Sequence, residues 1–250
     1  MKSLKIEYDW LKKLIPDGLP YPTSTIISGP GGSGKPLVEF AFVASWLKSG
    51  GSVIGIPLQY PSIDFVKSSM LKLFDIDLEK YNKKFVNIQF DVDIDTYEQI
   101  SDNEIKANLL KPDVLNEVIG LADNQIEKSE LGTMVFGSAL NLLFFSPTYK
   151  DAALKNIETI LKEDKSKTYI FSVSNSVFAE EIKYLEDASD NLMFTRMEKP
   201  MKLFFNIEKM ANVKFSDKEV NVPISKEILK EIKDVAEVSR KRILPKLKKI

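Results

Sequence analysis

The chain has 250 residues, 44% of them apolar, with Lys+Arg 35 against Asp+Glu 36 for a net charge of −1, and it contains no cysteine and no histidine. That length allows one larger α/β domain or two small ones with a full core, and the near-neutral charge gives no long-range field to gather nucleic acid or anionic membrane. The missing residue types exclude disulfides, zinc sites of the usual nitrogen and sulfur ligands, and hydrolases of the Ser-His-Asp or Cys-His kind.

Met1 to Trp10 mixes Lys, Glu and Asp with apolar residues, unlike a secretory signal. Thr23 to Ser28 predicts a short buried strand, and Leu37 to Lys48 an apolar helix stopped by Gly50-Gly51. Val53 to Leu58 reads as a second strand, Ile63 to Leu73 as a helix and Phe85 to Phe90 as a third strand, an alternation that predicts a parallel sheet. A helix over Val114 to Glu127 leads to a fourth strand at Thr133–Phe136, and a helix over Tyr149 to Leu161 to a fifth at Tyr169–Val173. After a helix at Phe178–Leu185 come strand-like segments at Asn191–Arg196, Lys202–Met210 and Val213–Val222. A last helix is expected from near Ser225 to Ile243, with Pro245 disturbing its end. The longest nearly uncharged apolar stretch, Met134 to Phe145, is far shorter than the ~20 residues that span a bilayer, so no membrane span and a cytoplasmic location are expected. The absence of Cys, with few Gln and abundant Lys and Glu, leans toward a hyperthermophile composition.

Between the first strand and its helix stands Gly29-Pro30-Gly31-Gly32-Ser33-Gly34-Lys35, which matches the phosphate-binding signature G-x-x-x-x-G-K in the context that signature needs. Its glycines let backbone N–H groups turn toward phosphate oxygens, the helix N-terminus adds partial positive charge, and Lys35 reaches the terminal phosphates. The next position calls for Ser or Thr, whose hydroxyl binds Mg²⁺, but holds Pro36. Proline removes the hydroxyl and an N–H, and it is expected to push Lys35 out of the helical region.

With these residues the chain resembles a RecA-type P-loop ATPase domain of the KaiC-like group, over roughly Ile6 to Ser225. Tyr8-Asp9-Trp10-Leu11 and Asp17-Gly18-Leu19-Pro20 stand where that family has its opening leucine-aspartate segment and G-G-x-P turn. Where the family's second strand ends in water-orienting glutamates, this chain has Leu58-Gln59-Tyr60-Pro61. Where a strand ends in a metal-holding Asp-Ser, it has Phe136-Gly137-Ser138, which puts glycine at the aspartate position. Where a Lys-x-Arg element reaches a neighbouring subunit's nucleotide, Lys209-Met210-Ala211 keeps the lysine alone. Metal hydroxyl, metal carboxylate, water-orienting carboxylate and trans arginine are thus all replaced, which leaves little to lower the barrier to phosphoryl transfer. The resemblance also points to a small archaeal family of unknown function on this fold.

Other charged features have plainer readings. Asp91, Asp93 and Asp95 follow a strand without the glycine of a calcium loop, and the Glu180-Glu181 pair lies on a helix surface. The basic run Arg240-Lys241-Arg242 with Lys246, Lys248 and Lys249 suits a solvated helix end. The segment after the fifth strand, Ser174 to Glu181, has no Lys or Arg, which disfavours DNA binding by a recombinase-like loop. Ala139 to Phe145 is expected in the core as an extension of the sheet; if exposed, it offers a peptide groove.

The expected fold is therefore α/β and RecA-like: a mostly parallel sheet flanked by helices, with antiparallel C-terminal strands. Residues 1–225 form the core domain, and 226–250 form a C-terminal helix and basic tail that is not a separate domain. The expected function is a catalytically degenerate module that binds a protein or peptide partner or assembles with itself. Residual nucleotide or anion binding is carried by Gly29, Gly31, Gly32, Ser33, Gly34, Lys35 and Lys209. No catalytic residue, metal or required cofactor is expected, ATP is left open, and nucleic acid and membrane are not expected partners. The alternatives are a working ATPase with metal ligands not yet identified, and a DNA-associated recombinase paralogue.

Overall fold

A computed structural model describes residues 2–60 and 62–250. The chain begins with β1 (Lys2–Leu4), α1 (Asp9–Lys12) and β2 (Leu19–Tyr21), then β3 (Ser24–Gly29), α2 (Lys35–Lys48), β4 (Ser52–Pro57), α3 (Ile63–Phe74) and β5 (Phe85–Phe90). A hairpin of β6 (Tyr97–Ser101) and β7 (Glu104–Ala107) precedes α4 (Pro112–Gln125), β8 (Thr133–Ser138), α5 (Lys150–Glu163), β9 (Thr168–Ser174) and α6 (Ala179–Ala188). The chain closes with β10 (Asn191–Glu198), β11 (Lys202–Lys209), β12 (Val220–Asn221) and α7 (Lys226–Leu247).

Ten strands form one sheet in the order β12-β11-β10-β3-β9-β8-β4-β5-β7-β6. From β10 through β7 every pairing is parallel, while β11 and β12 at one edge and β6 at the other run antiparallel. The expected α/β architecture with antiparallel C-terminal strands is the one observed. Parallel strands need helical crossovers on both faces, and the sheet accordingly separates two apolar clusters. Alternate residues of β8 divide between them: Met134 and Phe136 face α2, and Val135 faces the opposite layer. Helix α2 is buried from Lys35 through Leu47, since the N-terminal segment packs over its outer side with Leu4, Leu11 and Leu14. This explains why its sequence is apolar all round rather than on one stripe.

The structure departs from the sequence expectations in several places. The β6–β7 hairpin lies in a stretch too polar to read as strand, because β6 is an edge strand facing solvent. Of Val213–Val222 only Val220–Asn221 is a strand; Val213 and Phe215 instead pack irregularly against the first cluster. Ala139 to Phe145 does not extend the sheet: Leu140–Phe145 is a 3₁₀ helix, buried through Phe144, so it offers no groove. Helix α7 continues through Pro245, in its last turn, to the fully buried Leu247. Among the described residues no helix is long and apolar enough to cross a membrane.

Candidate functional site

Strand β3 delivers Gly29 to the carboxyl edge of the sheet, where the chain turns into the glycine loop and α2. A methyl group at Gly29 would lie 2.3 Å from the Thr195 carbonyl oxygen on β10, so the loop can start here only without a side chain. Gly34, at φ 72, is the left-handed residue that turns the loop into α2. Lys35 is nevertheless the first residue of the helix, contrary to the expectation that Pro36 displaces it. In the first turn the proline ring meets no helical carbonyl four residues back, and buried bonds hold Lys35 in place. Its Nζ donates to the carbonyls of Gly29 (2.9 Å) and Pro30 (2.7 Å) and to Ser33 Oγ (3.2 Å). Burial lowers its pKa from 10.5 to about 7 despite the opposing charge of Glu39.

Six of the seven expected site residues, Gly29, Gly31, Gly32, Ser33, Gly34 and Lys35, share this turn. Ser33 Oγ lies 2.7 Å from Thr195 Oγ1, and the Gly31 N–H donates to Ser176 Oγ at 3.0 Å, tying the loop to its neighbouring strands. The N–H groups of Gly32 and Gly34 donate to no protein group among the described residues. These free donors lie at the N-terminus of α2, while Lys35 Nζ donates its three protons to the loop's own oxygens.

Lys209 is elsewhere. It pairs with Leu192 at the start of β10, away from the loop, and its Nζ donates to the carbonyls of Glu186 (3.3 Å) and Asp187 (3.5 Å) in the last turn of α6. Within one chain it caps a helix and does not join the loop. A groove of about 710 Å³, bordered by Thr23, Lys167 and Asp190, also opens at that amino edge.

On the metal side the structure corrects the sequence register. A methyl group at Gly137 would meet Leu140 and Phe171, on the face away from α2. Ser138, two residues beyond Phe136, continues the face of β8 toward α2, and its Oγ donates to Glu39 Oε2 at 2.5 Å. The position facing α2 thus holds a hydroxyl rather than a glycine, and the carboxylate of the region comes from α2 instead. Glu39 lies one turn beyond Lys35, fully buried, with Ser172 also hydrogen-bonded to its carboxyl group and Oε1 without a partner. Burial pushes its pKa up from 4.5 to about 8. Tyr60 packs beside it, raised well above its ordinary value by burial and the nearby carboxyl, and accepts at its hydroxyl from Gln59 Nε2 at 2.8 Å. Pro61, the fourth residue of that strand-end motif, lies outside the described residues.

Glu39 was absent from the sequence expectations. The signal that marks it is a single acid in the apolar helix Lys35-Pro-Leu-Val-Glu-Phe-Ala-Phe. A Mg²⁺ ion needs oxygen ligands that are free and largely anionic. Pro36 offers none, the Ser138 hydroxyl is committed to Glu39, and burial pushes the Glu39 carboxyl toward its neutral form. The residues on this side do not fit the metal.

Elsewhere, Asp91, Asp93 and Asp95 pair with Lys106, Lys246 and Lys111, and no cluster of His, Cys, Asp or Glu suited to a metal occurs among the described residues. Glu181 pairs with Lys150 at the surface. The basic run near the C-terminus is spread around α7: Lys241 pairs with Glu237, Lys246 with Asp93, and Arg240 approaches the glycine loop.

No family model matches the chain, and no curated protein matches it. Among solved structures, a KaiC-like protein from the hyperthermophilic archaeon Pyrococcus horikoshii is similar at a TM-score of 0.63 and 19% identity, covering 90% of this chain and 94% of that one. That likeness shows the fold.

Proposed function

We propose that this chain, which has the RecA/KaiC-like fold, binds a phosphate-bearing ligand at the glycine loop without hydrolysing it and exerts its effect through a protein or peptide partner or a second copy of itself. The observation that carries this reading is the contrast around α2. The loop keeps free N–H donors and a buried lysine, while the side beyond it holds Pro36 and a buried carboxyl group bonded to Ser138. Phosphoryl transfer depends on positioned positive charge and an oriented nucleophile rather than on covalent chemistry by the protein, so binding survives losses that abolish turnover. Gln59 and Tyr60, where the family resemblance calls for carboxylates, cannot act as a base toward water at neutral pH. In this reading no cofactor is required, ATP is one candidate ligand, and the protein works in the cytoplasm without binding nucleic acid or membrane.

The test is phosphate release from ATP with Mg²⁺ at elevated temperature, alongside calorimetric binding of ATP, for the wild type and Lys35→Ala. Binding that Lys35→Ala weakens, with no turnover, supports the reading. Magnesium-dependent turnover abolished by Lys35→Ala overturns it in favour of a working ATPase.

A further inference from the structure

The carboxyl edge of the sheet is crossed by α7. Leu229 and Ile232 of this helix enter one apolar cluster and Leu247 enters the other, and ion pairs from Glu231 to Lys72 and from Lys246 to Asp93 fix it at two further points. Leu229, Lys233, Ala236, Arg240, Ile243 and Leu247 follow one another at spacings of four and three, so they share one face of the helix. Both ends of that face are apolar and buried or half-buried, and its middle carries two cations.

The middle of the face lies over the glycine loop. A methyl group built on Gly34 would lie 3.6 Å from Leu229 Cδ2, one on Gly32 would lie 4.0 Å from Lys233 Cε, and one on Gly31 would lie 3.9 Å from Arg240 Nη1. Neither Lys233 nor Arg240 has a carboxylate within 4.0 Å among the described residues. Of the acids on the same helix, Glu231 pairs with Lys72 and Glu237 with Lys241, while Asp234 follows Lys233 without an ion pair to it. The free N–H groups of Gly32 and Gly34 and the N-terminus of α2 already give the loop partial positive charge. Both cations are exposed, so water can reach them, and neither is tied to a carboxylate, which leaves them available to an anion at the loop.

We propose that Lys233 and Arg240 form the outer wall of the loop's site and bind the terminal phosphates of a diphosphate or triphosphate group, taking over from the same chain the charge neutralisation that a divalent cation gives elsewhere. This rests on the phosphate-binding reading of the loop. A guanidinium pairs two phosphate oxygens at once and an ammonium adds a point charge, so Arg240 fixes orientation and Lys233 adds attraction. The ligand class follows from the placement: a phosphate at the free N–H groups of Gly32 and Gly34 leaves Lys233 and Arg240 for a second phosphate joined to it.

The experiment titrates inorganic pyrophosphate and ATP into the full-length protein in EDTA and follows the heat of binding, with thermal melts to confirm that each variant folds. The wild type is expected to bind, Arg240→Ala and Lys233→Ala each to lose about tenfold or more in affinity, and Arg240→Lys to recover part of the loss. Lys241→Ala, on the outer side of α7, is expected to match the wild type. Variants at Lys233 and Arg240 that bind as well as the wild type, while Lys35→Ala fails to bind, overturn the role of α7 and leave the loop reading standing. Tighter binding by Arg240→Ala overturns it too, because α7 is then a cover rather than a ligand. A wild type that binds neither probe overturns the loop reading and this inference together.

Discussion

The two sides of the candidate site are one helical turn apart and differ in what builds them. On the phosphate side the groups are largely main-chain: N–H donors of the loop, held by the close approach of Gly29 to β10 and the left-handed turn at Gly34. On the metal side the corresponding groups are side chains: Pro36 offers no polar atom, and Ser138 and Glu39 bond to each other, with Ser172 also on the Glu39 carboxyl group. Backbone geometry is fixed by packing throughout the sheet, so it persists as long as the fold does. Side-chain chemistry changes one residue at a time and leaves the fold in place. A site of this kind loses hydrolysis before it loses its shape.

The largest effect is expected from an attack on the phosphate side. Gly29→Ala drives a methyl group into the Thr195 main chain, and a loss of about 3 kcal/mol or more in denaturant unfolding is expected. Next comes Ser138→Asp, which sets a second carboxyl against the buried Glu39, with an expected loss of about 2–4 kcal/mol that Glu39→Gln in the same chain partly restores. A Ser138→Asp protein as stable as the wild type would mean that the metal side is open to charge, and the comparison would fail there.

Glu39→Gln alone sharpens the comparison through pH. Glu39 is held up at about 8, so its contribution to stability is full below the ordinary 4.5 and is lost as pH rises toward 8. Lys35, lowered to about 7, contributes fully above 10.5 and loses that contribution as pH falls toward 7. The glutamine variant escapes the first loss. Its melting temperature is expected to equal that of the wild type near pH 4 and to exceed it by about 3 °C or more near pH 8. The smallest effect belongs to Pro36→Thr, which restores the hydroxyl at a position where proline is well tolerated. A stability change within about 1 kcal/mol and no gain of turnover are expected, measured by melts and phosphate release.

The signature from Gly29 to Lys35 was legible because a strand, a glycine run and a helix stand together in sequence, and the α/β alternation was legible from apolar runs. The hairpin at β6 and β7 was not, since an edge strand facing water carries little apolar signal. Ser138 was missed by one residue because an apolar strand conceals which residues share a face until its partners are known. Glu39 was overlooked because one acid within a helix reads as surface, and only the packing of the N-terminal segment over α2 makes it buried. The basic run at the end of α7 reads as solvated and is exposed from Arg240 to Lys249, but nothing local says that Arg240 stands beside the glycine loop.

The most direct test of the central claim is the ratio of ATP affinities in Mg²⁺ and in EDTA. Metal-independent binding predicts equal affinities within about threefold and no phosphate released in either condition. Affinity about tenfold or more tighter with Mg²⁺, accompanied by phosphate release, would show that the metal side still functions and would contradict the account.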